Sequence, residues 1–169
     1  VALLRKITAI FPKIEFICSN PAGKLLKDLW NLQKPRQVKK SNATIPPLPR
    51  INLIKQEQSF SLFNEYELDL IPSPTARWPG GLITFERKTG ILMSDKFFGA
   101  HLCTTDWDEG TRSSTEEERR HYFDCLMTPM ANQVNSIIEK IEHLDIRCIA
   151  PGHGPAIETS WRSLLIDYQ

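Results

Sequence analysis

The stretch "CIAPGHGPAI", residues 148–157, is a short apolar run that breaks into a Pro-Gly-His-Gly-Pro turn. With the preceding residues it reads "DIRCIA", which predicts a buried strand ending at Ala150. A chain that turns on Pro151, Gly152 and Gly154 aims His153 beyond the strand's carboxyl end, where α/β sheets carry their functional groups. Such a position suits a metal-binding imidazole and an ordinary turn residue alike. The rest of the chain has to choose between them.

Working outward, Met130, Val134, Ile137, Ile138 and Ile141 keep the spacing of a helix packed on a sheet, starting at Thr128 and Pro129. Before it, "SSTEEERRHYFDCLM" predicts another helix, with Ser114 and Glu117 as a capping box and Glu116 to Glu118 suited to the positive end of the helix dipole. After the histidine turn, "ETSWRSLLIDYQ" opens a last helix. The middle of the chain alternates as two hairpins: "SFSLF" with "YELDLIP" around Asn64 and Glu65, then "GLITFER" with "ILMSD" around "KTG" at 88–90. At the start, Leu3, Leu4, Ile7 and Ile10 share a helical face that Pro12 ends, and "KIEFICS" follows as a strand. A helix opens at Ser19 or Asn20, with Pro21 in its first turn and Leu25, Leu26, Leu29 and Trp30 as its buried stripe. The order is helix-strand-helix, antiparallel hairpins, then helix-helix-strand-helix, which suits sheets layered with helices on their outer faces.

Between residues 33 and 58 lies a basic, proline-containing connector; Lys34, Arg36, Lys39, Lys40, Arg50 and Lys55 precede its first acidic residue, Glu57. It reads as a solvated loop, with a docking strip for an acidic partner as the alternative. The net charge of +1 gives no global argument for nucleic acid or an anionic membrane, and no apolar run approaches a membrane span. Cys18, Cys103, Cys125 and Cys148 contain no C-x-x-C pair, which disfavours a zinc knuckle and predicts reduced, mostly buried thiols. The "NAT" sequon at Asn42 matters only in a secreted protein, and no signal peptide opens the chain. The chain opens already periodic and without an initiator methionine, which predicts a fragment whose upstream part is missing.

Four runs stand out together: "SNPAG" at 19–23, "PSPTARWPGGLITF" at 72–85, "SDKFFGAH" at 94–101 and "IAPGHGP" at 149–155. Their order and spacing resemble the second half of the metallo-β-lactamase-like domain of flavodiiron proteins, over most of the chain except the connector. "RWPGG…SDKFFGAH…PGHGP" looks most like the subtype of photosynthetic organisms that pairs with a second, related subunit. The resemblance implies an α/β fold, an αββα sandwich of the metallo-β-lactamase-like type of which residues 1–169 are the second half only. It also implies two irons at the strand ends and FMN in a flavodoxin-like domain absent from this fragment.

The family's iron ligands are a His-x-Glu-x-Asp-His motif, a histidine before "WP", an aspartate before "FG" and a final histidine in "P-G/S-H-G". By resemblance the first motif falls before Val1. Arg77 takes the place of the histidine, Lys96 that of the aspartate with Asp95 one position early, and His153 is the one retained ligand position. Protonated guanidinium and ammonium groups have no lone pair to give and repel a dication. At about 4 Å and an effective dielectric near 20 that repulsion is roughly 4 kcal/mol per unit charge pair, and doubles for Fe²⁺. Asp95 would face away from the site unless a bulge intervenes, because strand residues alternate. The expectation is therefore that the diiron site does not form, and that Arg77, Lys96 and His153 converge on an anion such as chloride, phosphate or a carboxylate.

His101 and Cys103 imitate half of a zinc site but lack a second pair nearby, so His101 reads as a loop histidine; His121 and His143 read as solvent-exposed. Trp78, Phe97 and Phe98 read as core, with a flavin-facing surface as the alternative. No nucleophile elbow or P-loop is present. The resemblance implies an oxidoreductase subunit that helps reduce O₂ to water as an electron sink in photosynthesis, with NAD(P)H or ferredoxin as donor and a related flavodiiron subunit as partner. It implies the chloroplast stroma, or the cytoplasm of a cyanobacterium, and an isolated piece of this length is expected to be inactive. The alternatives are a non-catalytic, anion-sensing scaffold and, more weakly, a metallo-β-lactamase-like hydrolase, whose hydroxide needs the metal that Arg77 and Lys96 oppose.

Overall fold

The structure, a computed structural model, describes residues 2–32, 46–62, 65–105, 107, 113–158 and 161–167. Two compact units divide at the Lys55–Gln56 bond. The first contains α1 (Ala2–Ile10), β1 (Glu15–Ser19), α2 (Asn20–Leu32) and β2 (Arg50–Ile54), with β1 and β2 paired in parallel. Gly23 lets α2 approach β2 closely: a Cβ there would lie 2.3 Å from Leu53 Cδ2, which would have to move aside. Trp30 is buried; its Nε1 donates to the Pro46 carbonyl at 3.2 Å, and the Arg5 guanidinium lies over its ring and donates to its carbonyl.

Two expectations for this unit need correction. The connector is shorter than 33–58: Arg50–Ile54 forms a strand, because "RINLI" follows the prolines rather than containing one and so keeps every N–H for pairing with β1. Residues 33–45, with most of the basic run and the Asn42 sequon, lie outside the described residues, as do Asn64 and the Ser114 side chain. Nor are the two helical stripes fully covered. Leu3, Ile10 and Leu25 are exposed.

The second unit is a five-stranded sheet in the order β3-β4-β5-β6-β7, comprising β3 (Gln58–Leu62), β4 (Tyr66–Pro72), β5 (Leu82–Glu86), β6 (Ile91–Asp95) and β7 (Cys148–Pro151). The first three pairings are antiparallel, as the two hairpin patterns predict, and β7 joins β6 in parallel. Three helices supply the other layer: α3 (Ser113–Leu126), α4 (Ala131–Ile141) and α5 (Trp161–Asp167). A 3-10 turn at Thr128–Met130 precedes α4, and Pro129, which has no N–H to leave unpaired, suits it. Val134, Ile137, Ile138 and Ile141 are buried in one cluster with Ile83, Phe85, Leu92 and Ile149 of the sheet, so the 3.6-residue period meets the two-residue period in one core. None of the described helices is long and apolar enough to cross a membrane.

The thiols depart from expectation. All four are free, but Cys18 and Cys148 are half-buried and Cys103 and Cys125 exposed. Partial burial pushes the Cys18 and Cys148 thiols up, which keeps them protonated and unreactive.

On the hairpins, Arg87 donates from Nε and Nη2 to the two carboxylate oxygens of Asp69, each at 2.7 Å, from Nη1 to Glu67 at 2.6 Å and from Nη2 to Ser59 Oγ at 2.9 Å. Its fork therefore ties β3 and β4 to the end of β5. Hydrogen bonding from Arg87 holds the Asp69 carboxyl below its ordinary range. A depressed folded-state pKa contributes stability that is present above the unfolded value and is lost as pH falls through the folded one. Asp69→Asn is expected to flatten the stability curve below about pH 4 in urea unfolding, with little change in the slope near neutrality. In the core, Ile138→Ala is expected to cost about 2–5 kcal/mol, against less than about 0.5 kcal/mol for the exposed Leu25→Ala, by the same measurement.

Candidate functional site

Parallel β6 and β7 carry their carboxyl ends side by side, and the loops leaving them are clasped. Gly152 N donates to the Asp95 carbonyl at 2.6 Å, and Ala100 N donates to the His153 carbonyl at 3.1 Å. Both bonds need close approach: a Cβ on Gly152 would fall 2.7 Å from the Asp95 carbonyl oxygen, and one on Gly154 3.0 Å from Ala100. Gly154 also has φ +86°, the left-handed region in which other residues are strained. The turn residues around His153 thus serve to press it against the "SDKFFGAH" loop.

That loop is itself bent hard. The β6–β7 register shifts between Met93 and Asp95, and Asp95 (φ +53°) and Phe98 (φ +61°) are both left-handed although neither is glycine. Such residues persist only where their surroundings fix them, and they gather at functional sites. Ser94 Oγ donates to the Phe97 carbonyl at 2.7 Å, and the buried guanidinium of Arg119 donates to the Phe98 carbonyl. Phe97 and Phe98 are fully buried in the core, while Trp78 is partly covered.

The irregularity that would let Asp95 turn toward the site is thus present. Lys96 Nζ lies 3.7 Å from Asp95 Oδ1 and 3.1 Å from His153 Nε2. An ammonium has only donors, so Nε2 is the acceptor and the imidazole proton belongs on Nδ1. Arg77 is exposed, with its guanidinium 5.8 Å from the centre of the Trp78 ring. Its loop borders the others through a crevice of about 10 Å³ lined by residues that include Thr75, Trp78, Asp95 and Lys96. The structure therefore brings Lys96, Asp95 and His153 into contact, with Arg77 on the adjoining loop.

Two residues here escaped the sequence pattern. Arg119 and Tyr122 lie in the helix read from its capping box and acidic first turn, and they are only 2% and 1% exposed. The signal was the spacing Thr115, Arg119, Tyr122, Leu126, one side of α3 turned to the core, hidden by the polar character of its members. Tyr122 meets the His101 ring edge-on at 4.8 Å between centroids and the His153 ring at 6.5 Å. Burial pushes its phenol pKa up, and the Asp95 carboxylate adds to the shift. His121 and His143 are exposed; His121 approaches Cys125 Sγ at 3.7 Å one helical turn away.

Residues 3–154 match the ODP family beta lactamase. The chain belongs to that beta-lactamase-like family. Within it the chain resembles the flavodiiron proteins: it is 37% identical over 170 residues to diflavin flavoprotein A 3 of Synechocystis sp. and 34% identical over 166 residues to diflavin flavoprotein A 4 of Nostoc sp., each alignment taking in 98% of this chain. It superposes on a metal-soaked flavodiiron core from Synechocystis sp. with a TM-score of 0.85 at 34% identity, covering 98% of this chain and 38% of that one. Against a fragment of diflavin flavoprotein A 5 from Nostoc sp. the TM-score is 0.82 at 33% identity, covering 98% and 59%. The fold is thus the metallo-β-lactamase-like one. The chain spans about a quarter of the length of the curated relatives it matches, 26% for the two above.

The family uses a diiron centre and FMN, and this chain corresponds to part of the diiron-type domain. The residues present do not fit such a centre. Lys96 places an ammonium 3.1 Å from His153 Nε2, where a metal would need a donor, and among the described residues no three His, Cys, Asp or Glu side chains gather to hold a metal. For the clasp itself, Gly154→Ala is expected to cost about 1–3 kcal/mol. It should also speed hydrogen exchange at the Ala100 amide, read by NMR, while leaving the β3–β4 amides unchanged.

Proposed function

We propose that the chain is part of a flavodiiron oxidoreductase subunit that takes part in reducing O₂ to water, an electron sink in photosynthetic electron transport, together with a related subunit whose iron ligands are intact. One observation carries the division of labour: the Lys96 ammonium sits on the His153 lone pair, so this chain offers a cation where iron needs a donor. The cyanobacterial relatives named diflavin flavoproteins support the oxidoreductase class and the photosynthetic setting. In this reading the electrons come from NAD(P)H or ferredoxin through FMN elsewhere in the polypeptide. The protein works in the chloroplast stroma, or in the cytoplasm if cyanobacterial. The chain contributes the Lys96–His153 loops as a folded surface rather than the oxygen chemistry.

A second reading is favoured by the same contact. A lysine and a histidine held together at the carboxyl ends of two parallel strands, with Arg77 on the adjoining loop, gather positive charge and N–H donors that suit an anion, and such a subunit would sense it.

The full-length polypeptide, purified alone and with a related subunit of intact ligands, separates these outcomes. Alone it is expected to hold far less than about two irons per chain by elemental analysis and to consume no O₂; with the related subunit, O₂ uptake appears. Two irons bound with Arg77 and Lys96 unchanged would overturn the proposal. O₂ uptake indifferent to this chain would leave the anion-binding scaffold.

A further inference from the structure

We infer that the cleft between the β3–β4 ladder and the end of α4 binds a small zwitterion of the α-amino acid type, with Glu57 taking its ammonium and Lys140 its carboxylate. The cleft stands apart from the loops after β6 and β7, and its ligand does not depend on the function proposed above.

Where α4 ends, a cavity of about 240 Å³ opens between its last turn and the first two strands of the sheet. That is below the roughly 300–1,000 Å³ of pockets for drug-sized ligands, so its occupant is a molecule of few atoms. The buried Leu70 and Ile71 of β4 give it an apolar floor. Arg87, Asp69 and Ser59 form one wall, and they satisfy each other: Asp69 accepts from both nitrogens of the Arg87 fork, and Ser59 Oγ donates to Asp69 Oδ1 at 2.6 Å. Recognition is left to the groups opposite.

Those groups gather at the helix end. Lys140 Nζ lies 3.4 Å from Glu57 Oε1, which leaves the ammonium with N–H donors and the carboxylate with acceptor capacity to spare. His143, just past the helix end, lines the same cleft and has no hydrogen-bond or ion-pair partner among the described residues.

Both signs of charge side by side decide the class of ligand. A simple anion at Lys140 would stand against Glu57, and a simple cation at Glu57 against Lys140, so each loses at one group what it gains at the other. An α-amino acid carries its two charges one carbon apart. Its head can lie alongside the Glu57–Lys140 pair with each charge facing its opposite, and the pair stays closed. His143 can add an N–H to the ligand carboxylate, and the floor of Leu70 and Ile71 suits an apolar side chain. The Glu57 and Lys140 side chains are 52% and 35% exposed, so solvent screens the match and binding is weak and salt-sensitive.

Leucine is the probe, read on the full-length protein by saturation-transfer NMR, which suits weak ligands of large proteins. Two relatives each lack one charge: isocaproate has no ammonium and leucinamide no carboxylate. Leucine at millimolar concentration is expected to receive saturation on its methyl groups, to bind more tightly than either relative, and to lose the signal in high salt. Glu57→Gln and Lys140→Gln change exposed side chains and should fold; each is expected to weaken leucine binding about fivefold, the upper end for an exposed charge pair. Glu57→Gln should also make leucine and isocaproate bind alike. If leucine shows no saturation transfer, or binds no better than isocaproate or leucinamide, the inference is overturned, and these comparisons need no variant. Leucine binding that survives both substitutions overturns it as well, by placing the ligand elsewhere in the polypeptide. Iron content and O₂ uptake are independent of all these outcomes.

Discussion

An imidazole nitrogen has one lone pair, and in this protein Lys96 already engages the one that matters. That contact of 3.1 Å joins the loop after β6 to the loop after β7 and sets the polarity of the site between them. A metal centre needs converging lone pairs; an ammonium brings only protons and a positive charge. At this strand end the lysine therefore places a positive charge and N–H donors against the imidazole. Asp95 tempers this, because its carboxylate stands close enough to the same ammonium to offset much of its charge.

Keeping three polar side chains together at a strand end requires a backbone that does not relax. The left-handed conformations of Asp95 and Phe98 are unfavourable in themselves, and the surrounding structure holds them in place. Phe97 and Phe98 anchor the loop in the core, Ser94 closes it from within, and the buried Arg119 of α3 takes the Phe98 carbonyl. α3 thus does for the site what α4 does for the sheet. The apolar stripe of α4 fixes the positions of the strands, and the polar but buried side of α3 fixes the loop between β6 and the helix. Replacing the buried Arg119 would leave that carbonyl to find another donor.

Much of this was legible in advance because it depends on local pattern. Alternation in "LITFE" and "ILMSD", the α4 stripe and the proline and glycine punctuation each follow from a repeat of two or 3.6 residues, and those elements formed where the pattern placed them. The misses were residues whose character contradicts their place. Arg119 is charged and buried, Leu3 and Leu25 are apolar and exposed, and "RINLI" is a strand inside a basic, proline-containing segment. For Arg119 and for β2, a partner distant in sequence overrode the local preference: the Phe98 carbonyl in the first case and β1 in the second.

The sequence by itself determined the order of elements and the chemical types at the key positions, including the cations Arg77 and Lys96 and the histidine at 153, because residue identity and periodicity are properties of the chain alone. Only the tertiary structure decided which of them meet. It set Lys96 against His153, turned Asp95 through a shifted register, left Arg77 over Trp78, and closed the core over the Tyr122 hydroxyl. A distance of 3.1 Å between residues 57 positions apart follows from strand register and loop curvature, which no repeat in the sequence encodes.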